Sequence, residues 1–484
     1  MGTIDRRDVE DVDKYSSAWL DRVLKPLYTR ADERGPRDER SDVGAIYRRA
    51  AQQTLLTRNP VIVIPGIMGS RLVAKDARRS IWGDFLKDYV RPDSDDGARL
   101  IALPMERGVP LDRLTGEARS DGSLADVRCK FAGIPLRRRV YGNVLSAMGV
   151  RNYAEVDEHE IDEHEGDAAA FEFDYDWRRS LDESAVRFGR FLKQLARFIK
   201  AYRPYRAPLR FDVVAHSMGG LLLRYFLRYG TQYLAYDGRP PRLTWEGSGL
   251  IETAVFIATP NAGALMGVDR LLSGLNANAV LPAYDPAIIG TMPSLYQLLP
   301  RTRHGRVLVA GEKEPVDLLD AEVWVARKFG LADPARAKQL ERLLPGVDGD
   351  AARRDVAIDH LTKCLASARA FQDALDVPAP GRPAHLRLHL FAGDTVRTPS
   401  EAVIDPLQRT VRTTAYAPGD KIVLRSSALL DERAGQEWRP RLETPIDWSS
   451  VTFVPGDHLG ITKEPVTINN ILYRLLEQPT AMAA

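Results

Sequence analysis

The sequence predicts an α/β fold, a mostly parallel central sheet flanked by helices, with cap or lid insertions. Three observations carry that prediction. Val61-Ile62-Val63-Ile64 is apolar at every position and stops at Pro65-Gly66, the pattern of a strand buried on both faces of a parallel sheet. Further strand candidates at 171–173, 209–215, 250–258, 386–392 and 451–454 alternate with helical patterns such as 185–201 and 218–229, as they do in α/β sheets. At 484 residues, the chain is longer than one minimal core requires, which leaves room for insertions.

In chain order, residues 1–58 are charge-rich. Tyr15, Trp19, Val23, Leu27 and Tyr28 recur there at helical spacing, predicting an amphipathic helix in a preamble packed on the main body. Residues 59–476 form the α/β body. Within it, 73–150 and 263–380 do not fit a minimal sheet and are assigned to a cap over the sheet's carboxyl edge, the second with an Ala-, Arg- and Leu-rich helical region at 334–375. A terminal helix at 466–476 and a short tail at 477–484 close the chain.

Composition narrows the function class. Hydrophobic residues at 44% and charged residues at 28% are ordinary globular usage. Lys plus Arg at 68 against Asp plus Glu at 66 leaves a net charge of +2, which gives no support to nucleic-acid binding, so any membrane contact must come from local patches. Cys129 and Cys364 form no CxxC and no Cys/His cluster at zinc spacing. Residues 1–14 lack the apolar stretch of a secretory signal, and no run approaches the length of a spanning helix. The expectation is a cytoplasmic protein with peripheral contact at a membrane surface.

Residues 211–220 read as a strand, then a small-residue turn, then an apolar helix: Phe211-Asp212-Val213-Val214-Ala215-His216-Ser217-Met218-Gly219-Gly220. Small residues two before and two after Ser217 allow the sharp turn that holds a nucleophilic Oγ at the sheet edge. Ala215 stands where such turns usually carry glycine, a departure of one methyl group. The helix that begins after Ser217 directs the positive end of its dipole at a developing oxyanion.

A serine hydroxyl needs an imidazole to take its proton and a carboxylate to hold that imidazole. His216 adjoins Ser217 but should point away along the turn, and His385 and His389 alternate as on a strand face. His458 lies in a glycine-flanked loop between a strand and the terminal helix, and is the base candidate. Asp420 and Asp394, each after a glycine, are the acid candidates, whereas Asp457 reads as a loop-stabilising carboxylate. Two backbone N–H donors must meet the oxyanion. Met218 supplies one, and the glycine-bearing loop at 65–70 supplies the other through Met68, with Ile67 as alternate.

Several segments occur in the order of their counterparts in the lecithin:cholesterol acyltransferase family, which includes phospholipases and diacylglycerol acyltransferases. They are Pro65-Gly66-Ile67-Met68-Gly69-Ser70-Arg71-Leu72, Ile81-Trp82, Tyr175-Asp176-Trp177-Arg178, the serine turn, Ala258-Thr259-Pro260-Asn261-Ala262-Gly263, Pro293-Ser294 through Leu299-Pro300, Gly419-Asp420-Lys421-Ile422-Val423 and Asp457-His458. The chain resembles that family from about residue 60 to 476. The resemblance implies an α/β-hydrolase fold, an acyl-enzyme on Ser217, Asp420 over Asp394 as the acid, His458 as the base and lipid esters as substrates. It also implies that Trp82 belongs to a lipid-contacting cap. Asn261-Ala262-Gly263 departs from the family's usual Trp-Gly-Gly, and Gly-Asp-Lys-Ile-Val from its usual Gly-Asp-Gly-Thr-Val.

Two segments carry paired readings. Arg178 either lines an acyl pocket or ion-pairs with Asp176 or Asp174, and the low-charge stretch 271–299 is either a mobile lid or a packed loop. The combined expectation is a serine lipid-ester hydrolase, phospholipase- or lipase-like, that needs no metal and no diffusible cofactor. Its implied partner is a lipid or phospholipid substrate, with no nucleic acid involved. A carboxylesterase for small soluble esters and a non-catalytic lipid-binding scaffold are the alternatives.

Overall fold

The computed structural model describes residues 59–76, 79–85, 89–131, 134–148, 170–202, 209–235, 239–275, 282–433 and 441–477. The preamble at 1–58 and residues 478–484 of the tail lie outside the described residues. The described residues form fourteen strands: β1 Val61–Ile64, β2 Ser70–Ala74, β3 Ser80–Trp82, β4 Ala118–Ser123, β5 Asp126–Phe131, β6 Ile134–Arg139, β7 Ala170–Glu172, β8 Phe211–His216, β9 Ile251–Ile257, β10 Arg306–Val309, β11 Arg387–Gly393, β12 Val396–Asp405, β13 Thr410–Gly419 and β14 Ser450–Val454.

Six of them form the central sheet in the order β14-β11-β9-β8-β1-β7, and every pairing in it is parallel. All residues of β1, β8 and β9 are buried, which is why β1 reads as a continuous apolar run and β8 and β9 as mostly apolar ones. From β1 the chain runs out to the edge strand β7, then returns to place β8 on the other side of β1. That reversal sets the sheet's switch point at the carboxyl ends of β1 and β8, where open α/β sheets bind ligands. Leu181–Tyr202 and Met218–Tyr229 are the flanking helices, with Phe188 stacked edge-on to Phe173 and Phe226 at 5.0 and 5.1 Å. At the opposite, amino edge, Asn59 Nδ2 donates to Asp212 and Glu252, and burial pushes the Asp212 carboxyl up to about 7. No described helix is long and apolar enough to cross a membrane.

The first insertion is richer in strands than in helix: β3-β2-β4 form one antiparallel sheet and β5-β6 a hairpin. The second carries the helices Ala337–Leu343 and Asp350–Asp376. The two insertions are tied together by Leu103 N–H on Thr291 Oγ1 at 2.9 Å and by Lys363 Nζ on the carbonyls of Glu106 and Val109 at 2.9 and 2.7 Å. Where the helix Asp350–Asp376 ends, its carbonyls lack intrahelical partners and carry the negative end of the dipole. Arg224, Arg228 and Tyr229 of the helix Met218–Tyr229 meet them. Arg224 donates to the Leu375 carbonyl, Arg228 to Leu375 and Val377 at 2.7 and 2.9 Å, and Tyr229 to Ala374 at 2.6 Å.

Of the stretch 271–299, residues 276–281 lie outside the described residues, and the rest is packed. Ile288 and Leu299 are fully buried, and Ser294 Oγ donates to the Trp177 carbonyl at 2.6 Å. The described residues of this stretch are packed, and their low charge reflects burial. A third sheet, β10-β12-β13, has no counterpart in the sequence-based expectation. Its antiparallel hairpin β12-β13 carries the chain from β11 to Asp420.

Candidate active site

Ser217 follows β8 directly and caps the helix Met218–Tyr229 with φ 54° and ψ −126°, a backbone conformation that a residue with a Cβ adopts only when its surroundings enforce it. Its N–H is held by the Ile257 carbonyl at 2.8 Å, and its carbonyl by Gly220 N–H at 2.9 Å. Small residues make the turn. A Cβ on Gly219 would lie 2.4 Å from the Pro65 carbonyl oxygen, and one on Gly220 2.0 Å from Thr259 Oγ1. Ala215, in the middle of the sheet, is fully buried with its methyl group accommodated.

His458 sits in the loop after β14, where Asp457 Oδ1 accepts Gly460 N–H at 2.7 Å and so shapes the loop. Its Nε2 lies 2.8 Å from Ser217 Oγ and its Nδ1 2.8 Å from Asp420 Oδ2. Asp420 stands at the end of β13 on a turn that its own side chain builds: Oδ1 accepts the N–H groups of Ile422 and Val423 at 3.0 and 2.6 Å. Burial pushes the Asp420 carboxyl up, but the His458 ring and these hydrogen bonds outweigh it, and its pKa lies below the ordinary carboxylate value. With Asp420 ionised, Nδ1 of His458 is the donor, which leaves Nε2 to accept the Ser217 hydroxyl proton. The structure thus brings Ser217, His458 and Asp420 into one hydrogen-bonded line. Asp394 stands apart from it, 3.6 Å from Arg425 Nη1.

Lys421 has φ 83°, the left-handed region that favours glycine. That accounts for glycine as the family's usual residue there. In this chain Thr398 Oγ1 pins the strained turn by accepting Lys421 N–H at 2.8 Å. Asn261, the other departure, is fully buried and bridges two elements: Oδ1 accepts from Arg224 at 3.1 Å, and Nδ2 donates to the Ala428 carbonyl at 2.7 Å.

Met218 is the first residue of its helix, so its N–H has no intrahelical acceptor. Gly66 to Gly69 form a turn closed by Gly69 N–H on the Gly66 carbonyl at 3.0 Å, with Met68 at φ 59°. The N–H groups of Ile67 and Met68 have no acceptor among the described residues. Trp82, expected in a lipid-contacting cap, is 4% exposed. Its Nε1 donates to the Met68 carbonyl at 2.8 Å, and its ring packs on Phe85 and Trp177 at 5.5 and 5.6 Å. It therefore buttresses the turn from below. Arg178 takes the structural one of its two readings: fully buried, it grips Asp176 through Nε and Nη2 at 2.9 and 2.7 Å.

His385 and His389 are satisfied by the Ser248 carbonyl and Ser450 Oγ at 3.1 and 2.8 Å. Sequence reasoning missed Tyr141 and the part played by His216. The His216 ring lies under the His458 loop, with Nε2 2.9 Å from the His458 carbonyl and Nδ1 2.8 Å from the Tyr141 hydroxyl. Nothing local in the sequence marks Tyr141, which comes from the first insertion. Among the described residues, no three His, Cys, Asp or Glu side chains gather in a metal-ligating arrangement.

The lecithin:cholesterol acyltransferase family model matches residues 164–314. No match among curated proteins reaches significance. Among solved structures, a chain in the crystal structure of a Tle4-Tli4 complex aligns over 87% of this chain and 98% of its own, at 15% identity and a TM-score of 0.50. Lipase 1 from Pelosinus fermentans aligns over 88% of this chain and all of its own at 13% identity, with a TM-score of 0.35. EstA from Clostridium botulinum aligns over 88% of each chain at 12% identity, with a TM-score of 0.31. The family match lies across the serine turn on a parallel sheet of this order, so over residues 164–314 the chain is similar to the lecithin:cholesterol acyltransferase family, and its fold is that of the α/β-hydrolases.

Proposed function

We propose that the protein is a serine lipid-ester hydrolase, phospholipase- or lipase-like, that passes the acyl group of its substrate through an ester on Ser217. The observation that supports this reading best is the line Asp420–His458–Ser217, with both contacts at 2.8 Å at the carboxyl end of β8. In it, His458 Nε2 takes the Ser217 proton as Oγ attacks the ester carbonyl, and Asp420 stabilises the resulting imidazolium. The tetrahedral oxyanion meets the N–H groups of Met218 and Met68, with Ile67 as the alternate second donor. His458 then returns its proton to the leaving alcohol, and the acyl-enzyme remains. A water activated by the same imidazole releases the fatty acid. Residues 73–150 and 263–380 form the cap over this site.

The acyl-enzyme is common to hydrolysis and transfer, and the partition depends on whether the cap orients a second substrate. Hydrolysis, with phospholipid as the preferred substrate, is the predominant outcome in this reading, and transfer is minor. The test supplies labelled phospholipid together with a sterol, a diacylglycerol and a lysophospholipid, and compares free fatty acid with transferred acyl product at early times. Dominant transfer to any one acceptor overturns the hydrolase reading. Failure of a fluorophosphonate to label Ser217 overturns the serine mechanism itself, and preference for short soluble esters over long-chain lipids turns the reading to a carboxylesterase.

A further inference from the structure

We propose that His216 and Tyr141 are positioning residues that align the general base and the oxyanion turn as one unit, through a hydrogen-bond chain from Gly66 N–H by way of Tyr141 and His216 to the His458 carbonyl. This rests on the serine-esterase reading above and deepens it.

Every link in the chain has a fixed direction. The His458 carbonyl can only accept, so His216 Nε2 carries the proton across their 2.9 Å contact. In a neutral imidazole Nδ1 is then an acceptor, and the Tyr141 hydroxyl donates to it at 2.8 Å. The Tyr141 oxygen in turn accepts Gly66 N–H at 2.8 Å. Burial holds the His216 pKa down at about 3, with the neighbouring His458 acting in the same direction, so the ring is neutral wherever the esterase works. Both side chains in the middle of the chain are buried, Tyr141 at 2% exposed and His216 at 4%, beside Ser217 at 5%.

The geometry makes His216 a hub. The three parts of the site come from three separate loops, after β1, β8 and β14, and sheet pairing alone does not fix one loop tip against another. His216 is the last residue of β8, so its backbone belongs to the sheet and is bonded to Ser217. Its side chain reaches the β14 loop directly and the β1 loop through Tyr141. Its ring also lies 4.8 Å from the His458 ring and 5.5 Å from that of Tyr141. The approach is possible only because residue 66 is glycine: a Cβ there would lie 2.8 Å from Ser217 Cβ, 3.2 Å from the Tyr141 hydroxyl and 3.3 Å from His216 Nδ1. A shift of the Gly66 turn therefore pulls on the main chain of the base, and the reverse.

The experiment measures hydrolysis of a chromogenic carboxylic ester and the rate of fluorophosphonate labelling in the full chain. Tyr141→Phe is expected to lower kcat roughly 10- to 100-fold with KM within about two-fold, and to slow labelling by the same factor, because groups that act in the transition state register in kcat. His216→Gln, which retains an N–H donor near the Nε2 position, should lose less kcat than His216→Leu. The double variant Tyr141→Phe/His216→Leu should be no slower than His216→Leu alone. Tyr296→Phe is the control: it removes a buried hydroxyl that donates to the Gly290 carbonyl at 2.9 Å in the second insertion, and kcat should not change. Wild-type kcat and labelling rate in folded Tyr141→Phe overturn the proposal. If that variant does not fold, 3-fluorotyrosine at 141 keeps the shape and strengthens the donor, and an unchanged kcat then overturns it equally. A wild-type chain that fluorophosphonate does not label at Ser217 defeats the esterase reading, and this inference with it, whereas labelling that is insensitive to Tyr141 defeats this inference alone.

Discussion

The nucleophile corner and the acid corner of the site are held in different ways. Around Ser217 backbone lies against backbone, and the places where side chains would stand are already filled: the Pro65 carbonyl closes on Gly219, Thr259 on Gly220 and Ser217 itself on Gly66. Around Asp420 the turn is held by hydrogen bonds, with Ile422 and Val423 donating to its own carboxylate and Lys421 to Thr398. The first corner is fixed by shape and has no space for a side chain. The second is fixed by acceptors and takes a lysine even where the backbone favours glycine. Each corner should therefore fail in its own way, the nucleophile corner through added volume and the acid corner through lost charge.

The largest effects are expected within the hydrogen-bonded line itself. Asp420→Asn retains an oxygen for Ile422 and Val423 but no anion for His458, so kcat should fall about 10³- to 10⁴-fold with little change in melting temperature. Ser217→Ala and His458→Ala should each lose at least as much, and their combination no more than the worse of the two. Asp394→Asn, which gives up only its contact with Arg425, should stay within about two-fold of wild type. A deeper loss in folded Asp394→Asn than in Asp420→Asn would reverse the acid assignment.

At the shape-fixed corner, Gly220→Ala should cost about 1–3 kcal/mol of unfolding free energy, read from urea titration. Adding Thr259→Ala should recover part of it, because it removes two of the three Thr259 atoms the new Cβ would meet, Oγ1 and Cγ2, and that hydroxyl has no hydrogen-bond partner among the described residues. Unchanged stability in the single variant would remove the distinction between the two corners.

Asp212 sharpens the comparison, since it is a buried carboxylate whose pKa is raised to about 7, opposite in direction to Asp420. Burial dominates its shift, and the hydrogen bonds from Asn59 and Thr253 only partly offset it. The folded state then holds the proton to higher pH than the unfolded chain does, so this group's contribution to stability falls as pH rises from about 4 to about 7 and is flat above. Asp212→Asn removes that fall, and its urea midpoint should gain on wild type between pH 4.5 and pH 7.5. An equal difference between the two proteins at both pH values would contradict the raised value.

The smallest effect belongs to Lys421→Gly. It should raise stability by about 0.5–1 kcal/mol by relieving the left-handed backbone, and leave kcat within about two-fold. A loss of stability would mean that the lysine side chain contributes more than its backbone conformation costs.

The strands that carry the site were legible because burial on both faces leaves them mostly apolar: 61–64, 209–215, 250–258 and 386–392 each fall within a residue or two of β1, β8, β9 and β11. The hairpin β12-β13 was not. Pro399 interrupts the first strand beside a bulge, and β13 alternates exposed and half-buried Thr, Arg and Ala with no apolar face to betray it. β4 reads Ala-Arg-Ser-Asp-Gly-Ser, polar enough to pass for a loop. Within the site, Ser217 and His458 announced themselves through small-residue turns, and both Gly-Asp pairs fitted the acid. Only the path of the β12-β13 hairpin, which a one-dimensional pattern does not contain, sets Asp420 against His458 and leaves Asp394 with Arg425. Tyr141 was invisible for the same reason, its partners Gly66 and His216 each lying 75 residues away.

The grip of Arg224, Arg228 and Tyr229 on the end of Asp350–Asp376 makes that helix a cantilever about 40 Å long, rooted on the element that also carries the nucleophile. A beam rooted there cannot lift away without breaking its root, so this side of the cap travels with Ser217 as a single stiff piece. The first insertion shares that root, through Lys363 of the same helix on the carbonyls of Glu106 and Val109, and it is bonded to the turn after β1 by Leu124 N–H on the Gly69 carbonyl and by the Trp82 indole on the Met68 carbonyl.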